Sequence, residues 1–494
     1  MGMQVTASIL YDYVQCPQRV ALDKFGDQSA RDEINPFVRL LWERGSLFER
    51  ETIANLKLPF VDLSKLQDAE KERQTIEAMK RGEALIYGGR IQADDLLGEP
   101  DLLRKETGGY VAGDIKSGAG EEGGDEEEDG KPKIHYAVQL ALYTDVLERL
   151  KLSAGRRGFI WDIHGDEVVY DFTAARGPRT PGTLWDKYQE ALVGARAILA
   201  RQFVPQSAYA GVCKECHWYT YCIAKLTASD DLTLIPFLGR KIRESMQGSI
   251  STIAELAASN PEGFIKGKKT IFAGLGPDRL KTFQARAALL KDPAPKPYLK
   301  ALIQLTKYPT ELFFDIEYDP MRDICYLHGF VERRSQDNIT ERFVYFFADE
   351  PTAESEKSAF ASAMEYFNSH ENAGIYYYSK FERTHYRKLQ AKYPDVCSAE
   401  RIEKLYDPSR AIDLYYDIVL KATEWPTRDH SIKTLAKHLG FGWRDTHPSG
   451  AASIEWFDRW CREKDPTVKQ RLLDYNEDDC RATRVLLDGI RGFS

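Results

Sequence analysis

Nowhere in the 494 residues does an apolar run approach the roughly 18 positions that a membrane span requires. The N-terminus also lacks the charged-then-apolar layout of a secretory signal. The expected location is therefore cytoplasmic, with no membrane partner. Cysteine is scarce: eight in a chain of this length do not suggest a disulfide framework, and a reducing compartment would not maintain one. Nor is the composition extreme, since 43% hydrophobic and 29% charged residues exclude a mainly disordered, collagen-like or fibrous chain. The length implies about three compact units of roughly 100 to 200 residues each. There is no basic excess to advertise a polyanion partner, because the formal net charge is −8. Yet the segment Gly118–Gly130 (GAGEEGGDEEEDG) holds seven acidic residues and no basic one, which leaves the remainder at about −1. Local basic patches can therefore matter. The acidic run cannot bury a core and is expected to be a solvated loop.

The few cysteines are unevenly spread. Cys213, Cys216 and Cys222 form a CxxCx5C cluster, whereas Cys325, Cys397, Cys461 and Cys480 stand apart and read as small buried hydrophobes. Three clustered thiolates need a fourth ligand, and Cys16 is the best candidate, in a segment (YDYVQCPQRVAL) that Pro17 breaks and re-aims. Four thiolates accept zinc or an iron-sulfur cluster, and spacing leaves the metal open.

Residues 84–116 have strand character broken by turn signals and predict an antiparallel meander. Asp101 follows Gly98-Glu99-Pro100 at a strand start, and Asp114 and Lys116 sit two apart near the end of the next strand, so their side chains share a face. Carboxylates from neighbouring strands can share a divalent ion, and a lysine beside them can hold or polarise an attacking water. Pro100-Asp101 followed by Asp114-Ile115-Lys116 resembles the PD-(D/E)XK nuclease signature in its RecB-like form. Gly45–Glu49 (GSLFE) is similar to that family's GxxxH segment with Glu49 at the histidine position, and Gln139 with Tyr143 resembles its QxxxY helix. One cysteine before the nuclease core and three after it resemble the layout of relatives that carry a 4Fe-4S cluster. The resemblance implies Mg or Mn on Glu49, Asp101 and Asp114, water assistance by Lys116, substrate contact by Gln139 and Tyr143, and a cluster on Cys16, Cys213, Cys216 and Cys222. Glutamate in place of histidine is a harder donor and puts the metal preference in question.

Residues 232–290 turn helical, with glycines just before two basic amphipathic helix starts (LTLIPFLGRKIRES and TIFAGLGPDRLKTFQARA). Gly274-Leu275-Gly276-Pro277 resembles a helix-hairpin-helix turn, in which backbone N–H groups meet a DNA phosphate. Arg240, Lys241, Arg243, Lys266, Lys268 and Lys269 supply positive charge nearby. Asp292–Pro297 (DPAPKP) reads as a linker.

In the last third, ELFFDIEYDP puts Asp315 and Glu317 on one face of an apolar strand, and paired like charges call for a cation. Tyr475 and Asp479, one helical turn apart in DYNEDDC, share a face, with Asp478 as a competing acid. The combination resembles the DEDD exonucleases of the DnaQ-like, RNase H-like fold, in the subgroup with tyrosine in its last motif. IYYYSKFERTHYRKL is similar to the middle motif, with Phe381-Glu382 where Phe-Asp is usual, and Asp413 follows where another strand-end acid is common. The resemblance implies two metal ions on Asp315, Glu317, Glu382 and Asp479, with Tyr475 orienting water.

The expected chain is thus an α/β multidomain protein. It has a restriction-endonuclease-like PD-(D/E)XK domain with a four-cysteine cluster (1–225), a small helical connector with helix-hairpin-helix character (226–297) and an RNase H-like DEDD exonuclease domain (298–494). The expected activity is metal-dependent phosphodiester hydrolysis in single-stranded DNA or at exposed ends. By resemblance, a superfamily-one helicase is the expected protein partner. The competing readings are a nucleic-acid-binding adaptor with degenerate sites and a zinc-stapled structural protein.

Overall fold

The computed structural model describes residues 3–123, 130–175, 182–446 and 448–493, and positions 124–129 of the acidic run lie outside them. The chain divides into two compact units, Met1–Ser207 with Gly211–Cys222 and Ala208–Ala210 with Ile223–Ser494.

In the first unit, α1 (Ala7–Gln15) and α2 (Pro17–Phe25) meet at Cys16, which ends one helix and begins the next. Pro17 takes the first helical position of α2, where its missing N–H has no helical partner to lose. Helix α3 (Pro36–Ala54) starts from the Asn35 side chain, which accepts from Phe37 N. A six-stranded sheet follows: β1 (Val61–Asp62), β2 (Leu85–Tyr87), β3 (Leu102–Glu106), β4 (Gly109–Ile115), β5 (Ser153–Trp161) and β6 (Glu167–Asp171) lie side by side in chain order. Strands β4 and β5 are parallel, so the chain must cross over between them. Helix α4 (Ile134–Arg149) makes that crossing and buries most of its length in the core. Gly113 on β4 leaves room for the ring of Phe159 on β5, which a side chain would strike. Helix α5 (Leu184–Leu199), opened by a reciprocal Thr183–Asp186 cap, completes the layer.

The meander expected over 84–116 is split between two sheets. Strand β2 pairs directly with β3, while Ile91–Ala93 and Leu96–Gly98 leave as a hairpin that joins Val5–Thr6. Burial explains the departure. Ile91 and Leu96 are fully enclosed in one apolar cluster with Leu10, Leu140 and Val146, surface that a single continuous meander would expose on one side.

The second unit begins with a helical segment around its own apolar core, including Leu232, Leu238, Met246, Leu256 and Phe283. Gly239 and Gly276 sit at the N-caps of helices Arg240–Met246 and Pro277–Lys291, without a side-chain cap on either. The buried Arg286 guanidinium grips Glu424 through Nε at 2.8 Å and Nη2 at 3.1 Å, tying this segment to the rest of the unit. There β7 (Thr310–Asp319), β8 (Ile324–Arg334), β9 (Asp337–Phe347), β10 (Gly374–Tyr377) and β11 (Ala411–Asp413) form a five-stranded sheet in the order β9-β8-β7-β10-β11. The first three are antiparallel and the last three parallel. Helices α6 (Ala353–Ser369), α7 (Phe381–Lys392), α8 (Ile432–His438), α9 (Gly450–Glu463) and α10 (Pro466–Arg491) cover it.

The period of two along β7 sorts its residues between two cores. Leu312, Phe314 and Ile316 pack with α6 and α7, while Phe313 packs with Cys480, Leu486 and Leu487 of α10. Asp315 and Glu317 share the face of Phe313 and therefore look toward α10.

Candidate active sites

The first acid group is built at the end of β4. Lys116 Nζ lies 2.8 Å from Asp114 Oδ2. Asp101 Oδ2 accepts from Ile115 N at 2.8 Å, and Asp101 N donates to Asp114 Oδ1 at 3.4 Å, so the Pro100-Asp101 turn and the end of β4 hold each other. Burial and the adjacent Asp114 charge push the Asp101 carboxyl well above the usual carboxylate range, against the pull of Lys116. Burial works to neutralise Lys116, but the Asp114 and Asp101 carboxylates outweigh it and raise the ammonium above its ordinary value. Glu49 on α3 accepts the Tyr87 hydroxyl at 2.9 Å, and its charge also raises Asp101. One turn apart on α4, Gln139 has a buried Oε1 with no hydrogen-bond partner, whereas Tyr143 is 4% exposed. The Tyr143 ring lies over Gly98 and its hydroxyl is 3.5 Å from the Glu99 carbonyl. Tyr143 therefore braces the turn that carries Asp101, and it has almost no surface for the substrate contact expected of it.

The second group is tighter. Among the described residues, Asp315, Glu317 and Asp479 are the set of three whose ligand oxygens all lie within 4.8 Å of one another. Asn476, also on α10, donates through Nδ2 to Asp315 Oδ2 at 2.8 Å and to Glu317 Oε1 at 3.5 Å. Its side chain occupies the space above Gly329, the residue of β8 that faces Asp315 in the register. Burial and the Asp479 charge push Glu317 up to about 8, with Lys433 opposing. Asp315 is raised by burial and by Glu317, Asp479 and Glu382 in turn. Glu382, buried on α7, is raised by burial and by the charge of Asp413, and its Oε2 has no hydrogen-bond partner. Lys433 on α8 donates to the Tyr475 hydroxyl at 2.7 Å and to Asp479 Oδ2 at 3.3 Å, while Trp443 Nε1 donates to Asp479 Oδ1 at 2.7 Å. A cation with a preference for oxygen donors would relieve this crowd of carboxylates.

Geometry also separates neighbours that look alike in sequence. Asp478 accepts from Arg444 N at 2.8 Å and from Arg444 Nε at 3.0 Å, which leaves Asp479 to the cluster. Asp413 spends Oδ1 on the backbone N–H groups of Ser379, Tyr415 and Tyr416 and so acts as a turn-holding cap. Three residues were missed in the sequence. Asn476 had a signal, being a polar residue in line with Cys480, Thr483 and Leu487 on the buried stripe of α10. Lys433 and Trp443 had none, because each joins the site only through packing between distant segments.

Among the cysteines, Cys16 stands at the joint of α1 and α2, Cys216 N donates to Cys213 O at 3.1 Å, and the Ser207 hydroxyl lies 3.6 Å from Cys222 Sγ. Burial raises the Cys216 thiol, and the charges of Cys16 and Cys222 raise it further, so these distant positions are within electrostatic reach of one another. Cys325 and Cys480 are buried as expected; Cys397 and Cys461 are only half-buried, at the fringes of apolar clusters. In the middle segment Lys241, Lys266, Lys268 and Lys269 are exposed. Arg243 is not available to a phosphate as expected, being buried and paired with Asp231 at 3.0 Å.

Residues 10–223 match the family model of the PD-(D/E)XK nuclease superfamily, and residues 312–490 match that of the RNase H superfamily. The chain joins a PD-(D/E)XK nuclease-superfamily domain to an RNase H-superfamily domain. The first match takes in Glu49, Asp101, Asp114, Lys116, Cys16, Cys213, Cys216 and Cys222; the second takes in Asp315, Glu317, Glu382, Tyr475 and Asp479. No curated protein matches the chain. The domains support a nuclease function and DNA as the partner. No helix among the described residues is long and apolar enough to cross a membrane.

Proposed function

We propose that the protein is a two-site, metal-dependent nuclease that acts on single-stranded DNA or exposed ends. The observation that carries the reading is the convergence of Asp315, Glu317 and Asp479 beside the Lys433–Tyr475 pair. Asp315, Glu317, Asp479 and the unpartnered Oε2 of Glu382 would hold Mg or Mn, which would neutralise charge on the phosphate and lower the pKa of a bound water. Lys433 donates to the Tyr475 oxygen and the phenol is hydrogen-bonded to Asp479, which would hold the hydroxyl beside the acids to orient a water or a phosphate oxygen. Asn476 fixes the spread of the two β7 carboxylates.

In the PD-(D/E)XK domain, Glu49, Asp101 and Asp114 would be the metal ligands and Lys116 would steady the attacking water or a phosphate oxygen. Gln139, with its free buried carbonyl, would bind a group within the site. Cys16, Cys213, Cys216 and Cys222 would hold a 4Fe-4S cluster, with zinc as the alternative. The functional parts would be residues 1–225, 226–297 and 298–494. The open helix start at Gly276, near Lys266, Lys268 and Lys269, would grip DNA phosphates without reading sequence. A superfamily-one helicase as partner rests on resemblance alone.

One observation favours an adaptor role for the first site: Glu49 is engaged by Tyr87, and the Glu49, Asp101 and Asp114 oxygens do not meet as closely as those of the second cluster. Cleavage of strands labelled separately at each end, in Mg or Mn, tests both readings with wild type, Asp114→Ala, Asp315→Ala and the double variant. Undiminished cleavage by the double variant refutes the located sites, and binding without cleavage by wild type favours the adaptor. Anaerobically purified protein should be brown and contain iron; colourless protein with stoichiometric zinc would reject the 4Fe-4S assignment.

A further inference from the structure

The turn that delivers Glu382 to the second site carries a feature the acid cluster does not need. Ser379, a non-glycine residue, is held at φ +101°, in the left-handed region that a serine rarely adopts. It stays there because Ser379 N donates to Asp413 Oδ1 at 3.1 Å, and the same oxygen takes Tyr415 N at 2.9 Å and Tyr416 N at 3.0 Å. One carboxylate thus clamps two chain segments, the 378–382 turn and the π-helical turn Leu414–Val419. Backbone strain maintained by such a clamp points to a functional constraint on what the turn presents.

What it presents is an exposed aromatic and cationic surface. Tyr416 is 40% exposed, and the exposed Lys380 ammonium lies 5.2 Å from its ring centroid. Phe381, the next residue after Lys380, is 43% exposed, and the one after it is the buried Glu382. Tyr415 packs under Tyr416 edge-on at 4.9 Å and is itself seated against Tyr378, so the Tyr416 ring is supported from behind. Lys380 has no acidic partner among the described residues, and the adjacent Asp417 is paired with Lys421 at 2.9 Å. A half-exposed ring braced by Tyr415, with the Lys380 ammonium over it, suits an unstacked nucleobase together with its phosphate, and duplex DNA offers no such free base face.

We propose that Tyr416 and Lys380 form a landing platform for the end of a single strand, Tyr416 stacking on a base and Lys380 meeting the adjoining phosphate, next to the Asp315–Glu317–Asp479 cluster. The platform deepens the nuclease reading and rests on it for the purpose of the bound strand. The test uses the full chain in EDTA, so that no strand is cut, with oligothymidylates bearing 2-aminopurine at one terminus or the other. Wild type should quench the fluorescence at one terminus. Tyr416→Ala should abolish that quenching and weaken binding about tenfold, whereas Tyr416→Trp should keep both. Lys380→Ala should keep quenching at saturation but lower the salt dependence of binding by about one phosphate contact. Equal quenching by wild type and Tyr416→Ala at both termini, with circular dichroism unchanged, would overturn the platform. So would wild type that binds an abasic strand as tightly as oligothymidylate. Wild type that quenches yet never cleaves in Mg or Mn would remove the nuclease reading and leave the platform standing.

Discussion

At Gly329 the absence of a side chain makes room for Asn476, whose amide spans Asp315 and Glu317. An added methyl group would collide with Asn476 Oδ1 and drive the amide off both carboxylates. Gly329→Ala should therefore cost about 1–3 kcal/mol of stability, the usual range for overpacking. In an Asp114→Ala background it should also slow cleavage at least about tenfold. Adding Asn476→Ala should return stability without returning cleavage, which melting and single-turnover assays can separate. Glu317 gives a pH signature as well. Its pKa rises from an ordinary 4.5 to about 8 on folding, so the folded protein holds that proton more tightly than the unfolded chain does. The resulting stabilisation is complete below about pH 4.5 and is lost as pH climbs through about 8. Metal-free protein should melt at a lower temperature at pH 8 than at pH 5.5. Glu317→Gln should flatten that slope, and Mg or Mn added at pH 8 should recover the loss by binding only the folded form.

Elements meet at the site through a small number of polar joints, and Asp413 is the one that fastens β11 to the turn leading into α7. Asp413→Ala would strand the N–H groups of Ser379, Tyr415 and Tyr416. A loss of about 1–2 kcal/mol is expected, as for other capping residues, with Asp413→Asn largely sparing it because the amide oxygen still accepts. Urea unfolding of the three proteins checks the ranking. Helix α10 supplies the counterpart. Its successive residues Asp478 and Asp479 diverge by a helical step, so one meets Arg444 and the other the acid cluster. The periodicity of that helix explains why Tyr475, Asn476 and Asp479 act together although only Tyr475 and Asp479 stand out in the sequence.

Over the whole molecule, each compact unit contains its own acid group, Asp101 with Asp114 in one and Asp315 with Glu317 and Asp479 in the other. The two should fail independently. Asp114→Ala and Asp315→Ala should each leave one product pattern on end-labelled strands while removing the other, and the double variant should leave neither. A single variant that silences both patterns would mean that one site does all the cutting. The middle segment belongs to the second unit through the buried Arg286–Glu424 pair, so its lysines accompany the RNase H-superfamily domain.

The sequence alone determined what one element can encode. A period of two put Asp315 with Glu317 and Asp114 with Lys116, a helical turn put Tyr475 with Asp479, and short spacing grouped three cysteines. The two family domains were legible for the same reason. Only the tertiary structure decided that Asp479 rather than Asp478 faces the acids, that Tyr143 braces a turn, that Arg243 is buried, and that Ile91–Gly98 leaves the meander. It alone brought Lys433 and Trp443 to Asp479 and matched Asn476 to the gap at Gly329. Those outcomes depend on how separate elements pack, and distances across a packed core are fixed by burial and volume that no single stretch of sequence contains.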